Sequence, residues 1–134
     1  MTDFLSPTPC WILWDKGFSE NVTFAQFEMA WTSFNSSTKK INYNAAANKD
    51  RIHPTQKPAE LYSWLIHRYA KKGDKILDTH LGSASIALAI DKANKADGME
   101  LDFVGIELDK DYFDSAMKRF SKGRQQMFLN LNEE

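Results

Sequence analysis

Residues 76–83 limit the possible folds of this chain more than any other stretch. Ile76-Leu77-Asp78 is a short apolar run ending in an acid, and Thr79-His80-Leu81-Gly82-Ser83 turns it into a helix extending to about Lys95. Phe103-Val104-Gly105-Ile106-Glu107-Leu108-Asp109 then supplies a second strand with its own terminal acids. A strand-helix-strand succession of this kind places the chain in the α/β class. The turn gathers backbone N–H groups and the positive end of the helix dipole at one spot. Gly82 lets a ligand approach the backbone closely. The turn carries one glycine rather than the three of a dinucleotide fingerprint, so an ordinary strand-helix corner stays open on residues alone. Glu107 follows Gly82 at close to the ~20-residue spacing at which a carboxylate can accept both ribose hydroxyls of an adenosine group. A solvent-facing acid is the alternative there, and Asp109 suits the cap of the next helix.

The remaining elements follow from simpler signals. Residues 10–16 form a short apolar run after Pro7 and Pro9, read as a buried strand, and Ile76-Leu77-Asp78 is read as buried likewise. Gly17, Ser19 and Asn21 mark a turn, and residues 26–34 a second, antiparallel strand. Trp11, Trp14, Trp31 and Phe34 suit the packing of those two strands better than a base-holding pocket. Residues 35–51 lack clear periodicity and read as a long, mobile loop. Within it Lys39, Lys40, Lys49 and Arg51 stand against Asp50 alone, a local balance of +3. Such residues either neutralise phosphates or simply solvate a surface loop. In His53-Pro54-Thr55-Gln56-Lys57-Pro58 the prolines fix the backbone, while Thr55, Gln56 and Lys57 offer hydrogen bonds at a helix start. Leu61, Trp64, Leu65 and Tyr69 continue that helix as a stripe ending near Lys72-Gly73. A last helix runs from Lys110 to about Ser121, with Gly123 as its stop. Met127-Phe128-Leu129 extends it or forms another strand.

Bulk properties exclude several classes. The chain has 134 residues and a net charge of −1, so any contact with nucleic acid must be local rather than global. One cysteine, Cys10, excludes an intrachain disulfide framework and suits a reducing interior. Neither a signal-peptide pattern nor a long apolar run is present, which predicts a cytoplasmic location and no membrane contact. His53, His67 and His80 have no partner spacing that makes a zinc set, so no metal is expected.

The order His53-Pro54-Thr55-Gln56-Lys57-Pro58, then Leu77-Asp78-Thr79-His80-Leu81-Gly82-Ser83, then Val104-Gly105-Ile106-Glu107-Leu108-Asp109 resembles the permuted class of DNA amino-methyltransferases, most closely phage and prophage adenine methylases. Trp11 to Lys16 and Phe27 to Phe34 also look like the middle of such a protein, and the resemblance covers about Thr2 to Phe120. It implies an incomplete Rossmann-like fold that binds S-adenosylmethionine: a partial domain over 1–134, with an N-terminal strand hairpin at 10–34, a basic target-recognition loop at 35–52 and a βαβ cofactor-binding part at 53–122. By the same resemblance His53, Thr55, Gln56, Lys57, Asp78, Thr79, Gly82, Ser83 and Ser85 lie around the methionine end of the cofactor, and Glu107 on its ribose. Lys39, Lys40, Lys49 and Arg51 would then contact duplex DNA with a flipped base. Position 84 is Ala where relatives often carry Gly; a positive φ there would cost roughly 1 kcal/mol.

One family feature is missing from these residues. The four prolines are Pro7, Pro9, Pro54 and Pro58, so the chain contains no Asp-Pro-Pro-Tyr block, and no residue takes a catalytic role. The reading is therefore a fragment that binds cofactor and DNA, methylates adenine N6 (or cytosine N4) only with a complementary N-terminal polypeptide, and tends to self-associate through unpaired strand edges. The alternative is a non-catalytic remnant or decoy that binds nucleic acid or cofactor. A small-molecule methyltransferase fits poorly, because its cofactor turn would stand near the start of the chain.

Overall fold

The computed structural model describes residues 5–18, 21, 23, 25–44, 52 and 55–131, the last five by backbone alone. The chain forms two compact units, Met1–Asn48 and Lys49–Glu134.

The first unit is a three-stranded sheet. Strand β1 (Trp11–Asp15) lies in the middle, antiparallel to β2 (Phe27–Trp31) and parallel to β3 (Lys39–Asn42). Its alternation buries Ile12 and Trp14 on one face, as the period of two requires. Cys10 and Thr32 are also buried, with Thr32 Oγ1 donating to the Cys10 carbonyl at 2.6 Å. The Trp14 indole donates to Tyr43 O and the Trp31 indole to Ser6 O, both at 2.9 Å. Trp14 is buried, Trp31 is partly buried, and Phe34 is exposed.

Strand β3 corrects the expectation of a structureless loop over 35–51. Lys-Lys-Ile-Asn has weak strand propensity, but the second edge of β1 offers backbone groups that need partners, and pairing Ile12 with Lys39 through Asp15 with Asn42 supplies them. Residues 45–51 lie outside the described residues.

In the second unit, helix α1 (Ala59–Tyr69) leads into β4 (Lys75–Asp78), α2 (Ser85–Asp97), β5 (Asp102–Gly105) and α3 (Lys110–Leu131). Pro58 is buried at the N-cap of α1 with φ −64°, its ring already set for the helix. Strands β4 and β5 pair in parallel from Lys75 with Asp102 to Asp78 with Gly105. The core is helical on one side of this ribbon. Ile66, Ala89, Ile90, Ala93 and Leu101 form one buried cluster, with Ile76 and Phe103 packed on it. Leu81, Ala84, Ala87 and Ala116 form the other.

Two expectations change here. The strand at 76–78 is buried on one face only: Leu77 is 62 % exposed and Val104 60 %. A two-stranded ribbon turns alternate side chains to opposite faces, and α1 and α2 cover just one of them. Helix α3 also runs through Gly123 to Leu131 instead of stopping. A Cβ at Gly123 would stand 2.6 Å from Leu88 Cδ2, so the glycine serves the close approach of α3 to α2. Among the described residues, no helix is long and apolar enough to cross a membrane.

Candidate functional site

The C-terminal ends of β4 and β5 meet the start of α2. Asp78 Oδ1 accepts from His80 N at 2.9 Å and turns the chain out of β4. The pairing of the strands continues past their ends, with Ile106 N donating to Asp78 O at 2.8 Å and Leu81 N to Ile106 O at 2.9 Å. Two left-handed residues then bracket Ser83, Gly82 at φ 55° and Ala84 at φ 59°. The positive φ at Ala84 is therefore real, and an alanine held there costs roughly 1 kcal/mol. Ala84 is the N-cap of α2, and no side chain caps that helix. The first-turn N–H groups and the positive dipole end are thus left for this corner.

Glu107 closes the corner from the β5 side. Its Oε2 accepts from Gly82 N at 2.8 Å and its Oε1 from Asp109 N at 3.1 Å. The Asp109 and Gly82 backbone donors hold this carboxyl below its ordinary range. The structure thus joins Gly82 and Glu107, which the sequence only spaced. Asp109 caps α3 as expected, its Oδ1 accepting from Asp111 N at 2.9 Å and Tyr112 N at 3.0 Å.

The segment before α1 reaches the same corner through its backbone. Ser85 Oγ donates to Lys57 O at 2.7 Å and lies 3.1 Å from Ser83 Oγ. Gln56 is buried, with Oε1 accepting from Ile52 N at 3.0 Å. Thr55 and Thr79 are exposed, and Thr79 Oγ1 lies 2.9 Å from His80 Nδ1. His53 lies outside the described residues.

Sequence reasoning missed Arg119. Its Nη1 donates to Ser83 O at 2.8 Å and to Ser85 Oγ at 3.1 Å. The signal was a basic residue on the inward stripe of α3, three residues after buried Ala116 and next to half-buried Phe120.

Of the four basic residues expected to contact DNA, Lys39 and Lys40 lie on β3. Lys39 Nζ donates to Ser37 Oγ at 2.8 Å, and Lys40 Nζ pairs with Asp15 Oδ2 at 2.8 Å. That lysine, ahead of the Gly17 N–H, holds the Asp15 carboxyl below its ordinary value. Lys49 and Arg51 lie outside the described residues.

The sequence profile of the DNA methylase family (N6_N4_Mtase) matches residues 10–118. The chain belongs to the DNA methylase family. Among curated members, the Type II methyltransferase M2.DpnII of Streptococcus pneumoniae is 34% identical over 94 residues, 70% of this chain and 30% of that protein. M2.LlaDCHI of Lactococcus lactis subsp. cremoris is 33% identical over 98 residues, 73% of this chain and 32% of that methyltransferase. The chain thus spans about a third of the length of these relatives. Its α/β fold is similar to that of M1.HpyAVI, solved as a SAM complex, with a TM-score of 0.59 at 24% identity over 81% of this chain and 60% of the other.

Proposed function

We propose that this chain is the cofactor-binding and DNA-contacting part of an S-adenosylmethionine-dependent DNA methyltransferase directed at adenine N6, and that these 134 residues alone do not transfer methyl. The carrying observation is the 2.8 Å bond from Gly82 N to the Glu107 carboxylate, made where two parallel strands end and an uncapped helix begins. The donor set fits such a cofactor: an ionised carboxylate for vicinal hydroxyls, and helix N–H groups with a positive dipole end for a carboxylate.

When bound, S-adenosylmethionine supplies an electrophilic methyl group. The chain's own work is to hold and orient it. Glu107 accepts from the ribose, Gly82 and the left-handed Ala84 keep the backbone close, and the Lys57 carbonyl fixes the neighbouring segment through Ser85. Lys39 and Lys40 on β3, with Lys49 and Arg51, contact DNA phosphates. Asp78, Thr79, Ser83, Thr55, Gln56 and His53 complete the cofactor surroundings. Methylation of an exocyclic amine requires a flipped base held in line. In the class of enzymes this chain resembles an Asp-Pro-Pro-Tyr block does this, and these residues contain no Pro-Pro pair. A complementary polypeptide carrying that block would complete the site in the cytoplasm, or strand edges would meet in a homo-oligomer. The exposed apolar face of Leu77, Val104 and Ile106 supports an additional covering layer.

Calorimetric titration with S-adenosylmethionine tests the reading. Saturable binding near one per chain is expected, with Glu107→Ala weakening it about tenfold or more, the scale of lost hydrogen bonds to a charged group. No binding at millimolar cofactor would leave the non-catalytic remnant as the better account. Unchanged affinity in Glu107→Ala would remove the ribose role.

A further inference from the structure

We infer that Arg119 is the positioning residue of the turn between β4 and α2, setting its affinity for a carboxylate-bearing ligand without touching that ligand; the inference rests on the cofactor reading above. One guanidinium nitrogen binds both the Ser83 carbonyl and the Ser85 hydroxyl, the two residues flanking strained Ala84. Ser85 passes the restraint on to Lys57 at 2.7 Å. A single cation on α3 thereby joins the last helix, the left-handed turn and the segment before α1.

Helix α3 is itself held on both sides of Arg119. Ala116 is fully buried against the cluster of Leu81, Ala84 and Ala87. One turn later Arg124 Nε lies 3.3 Å from Asp91 Oδ1 on α2. The guanidinium is therefore delivered by a fixed backbone. Its charge stands against the positive end of the α2 dipole, an arrangement that works against helix stability. Two effects offset this. Arg119 satisfies the Ser83 carbonyl, which the left-handed Ala84 turns away from the helix ladder. It also adds to a positive field in the corner where an anionic ligand group would be received. An apolar side chain supplies neither.

The test uses the full chain with Arg119→Met, Arg119→Lys and Ser85→Ala. Backbone amide resonances of Gly82 to Ser85 report the turn without any ligand. Titrations with S-adenosylmethionine and with 5′-methylthioadenosine, which lacks the amino-acid end, report its use. Arg119→Met is expected to move those resonances and to weaken S-adenosylmethionine about tenfold or more, with a smaller loss for 5′-methylthioadenosine. Arg119→Lys, which keeps one donor and the charge, restores most of both. Wild-type resonances or S-adenosylmethionine affinity within about twofold in Arg119→Met would overturn the inference, as would equal losses for the two ligands. If Arg119→Met does not fold, Ser85→Ala decides: it breaks the link to Lys57, and wild-type affinity there would overturn the inference equally. If the wild-type chain binds no S-adenosylmethionine, the cofactor reading fails, and the resonances of Gly82 to Ser85 alone decide whether Arg119 sets the turn.

Discussion

Replacing Gly105 by alanine tests how tightly the corner is built. Gly105 closes β5 opposite Asp78, and its φ is not in the left-handed region, so the substitution probes space alone. A Cβ there would stand 2.8 Å from Leu81 Cδ1 and 3.1 Å from Cε1 and Cζ of Phe103. Leu81 is buried in the cluster with Ala84, Ala87 and Ala116, and Phe103 packs against the same cluster, so neither moves alone. Overpacking of this kind costs about 1–3 kcal/mol. Loss of glycine's freedom in the unfolded chain returns about 0.4–1 kcal/mol. The net expectation is a destabilisation of about 1 kcal/mol, a fall of roughly 3–5 °C in Tm for a chain of this size. Urea and thermal unfolding of the two proteins measure it. Because Leu81 immediately precedes Gly82, affinity for S-adenosylmethionine should also fall further than in Ile90→Val, a comparably mild core change away from the turn. A Gly105→Ala protein as stable as wild type would mean that Leu81 and Phe103 leave slack, and the argument for a closely built corner would fail.

Gly123→Ala should stabilise the chain by up to about 1 kcal/mol, because an interior helical glycine is that much worse than alanine and the Leu88 methyl in its way is the end of a flexible side chain. A loss of similar size in urea unfolding would mean that Leu88 cannot move aside and that the close approach of α3 to α2 requires the glycine. His67 donates to Ser63 O at 2.7 Å and pairs with Asp97 Oδ2 at 2.9 Å, and the Ser63 carbonyl ahead of Asp97 raises its pKa above 6.5. Its contribution is therefore complete below 6.5 and lost as pH rises through the higher folded-state value, small because both side chains are half exposed. Tm should fall slightly from about pH 6 to about pH 8.5, and Asp97→Asn should flatten that slope. If Lys39 contacts a DNA phosphate, Lys39→Ala should lower the salt-dependence slope of duplex binding by about one, with equal weakening across sequences; an unchanged slope would remove Lys39 from the interface.

Much of the second unit was legible because its signals are local. Apolar runs at 76–78 and 103–106, Pro58 before a helical stripe and Asp109 before Lys110 each specify an element from a few neighbouring residues. What escaped depends on partners distant in sequence. Lys39–Asn42 becomes a strand because β1 has an edge to pair, and nothing in Lys-Lys-Ile-Asn announces that edge. Gly123 has two physical meanings, helix stop and close approach, and Leu88 on another helix chooses between them. Leu77 reads as buried because an apolar run does not say how many faces of its sheet are covered. At the corner, Gly82 and Glu107 were visible through spacing, whereas Arg119 bears on the turn only through the fold of α3.

The bond between Glu107 and Gly82 also bears on how a ligand would enter. A carboxylate has about four acceptor positions, and the backbone donors of Gly82 and Asp109 engage one on each oxygen. The carboxylate is thus held ionised and oriented while each oxygen keeps capacity for a further donor, so that on the proposed reading a ribose diol would add to the arrangement without displacing it. The rotamer of Glu107 is already fixed by folding, and its ordering subtracts little from binding. Such a site gains affinity through geometry set in advance. The same logic extends to Ala84, whose strain is offset by packing and by the Ser83 and Ser85 contacts to Arg119 before any ligand arrives. A corner built in this way is sensitive to small displacements of its supports. On the proposed reading, changes at Gly105 or Arg119, neither of which need touch the cofactor, therefore reach its affinity.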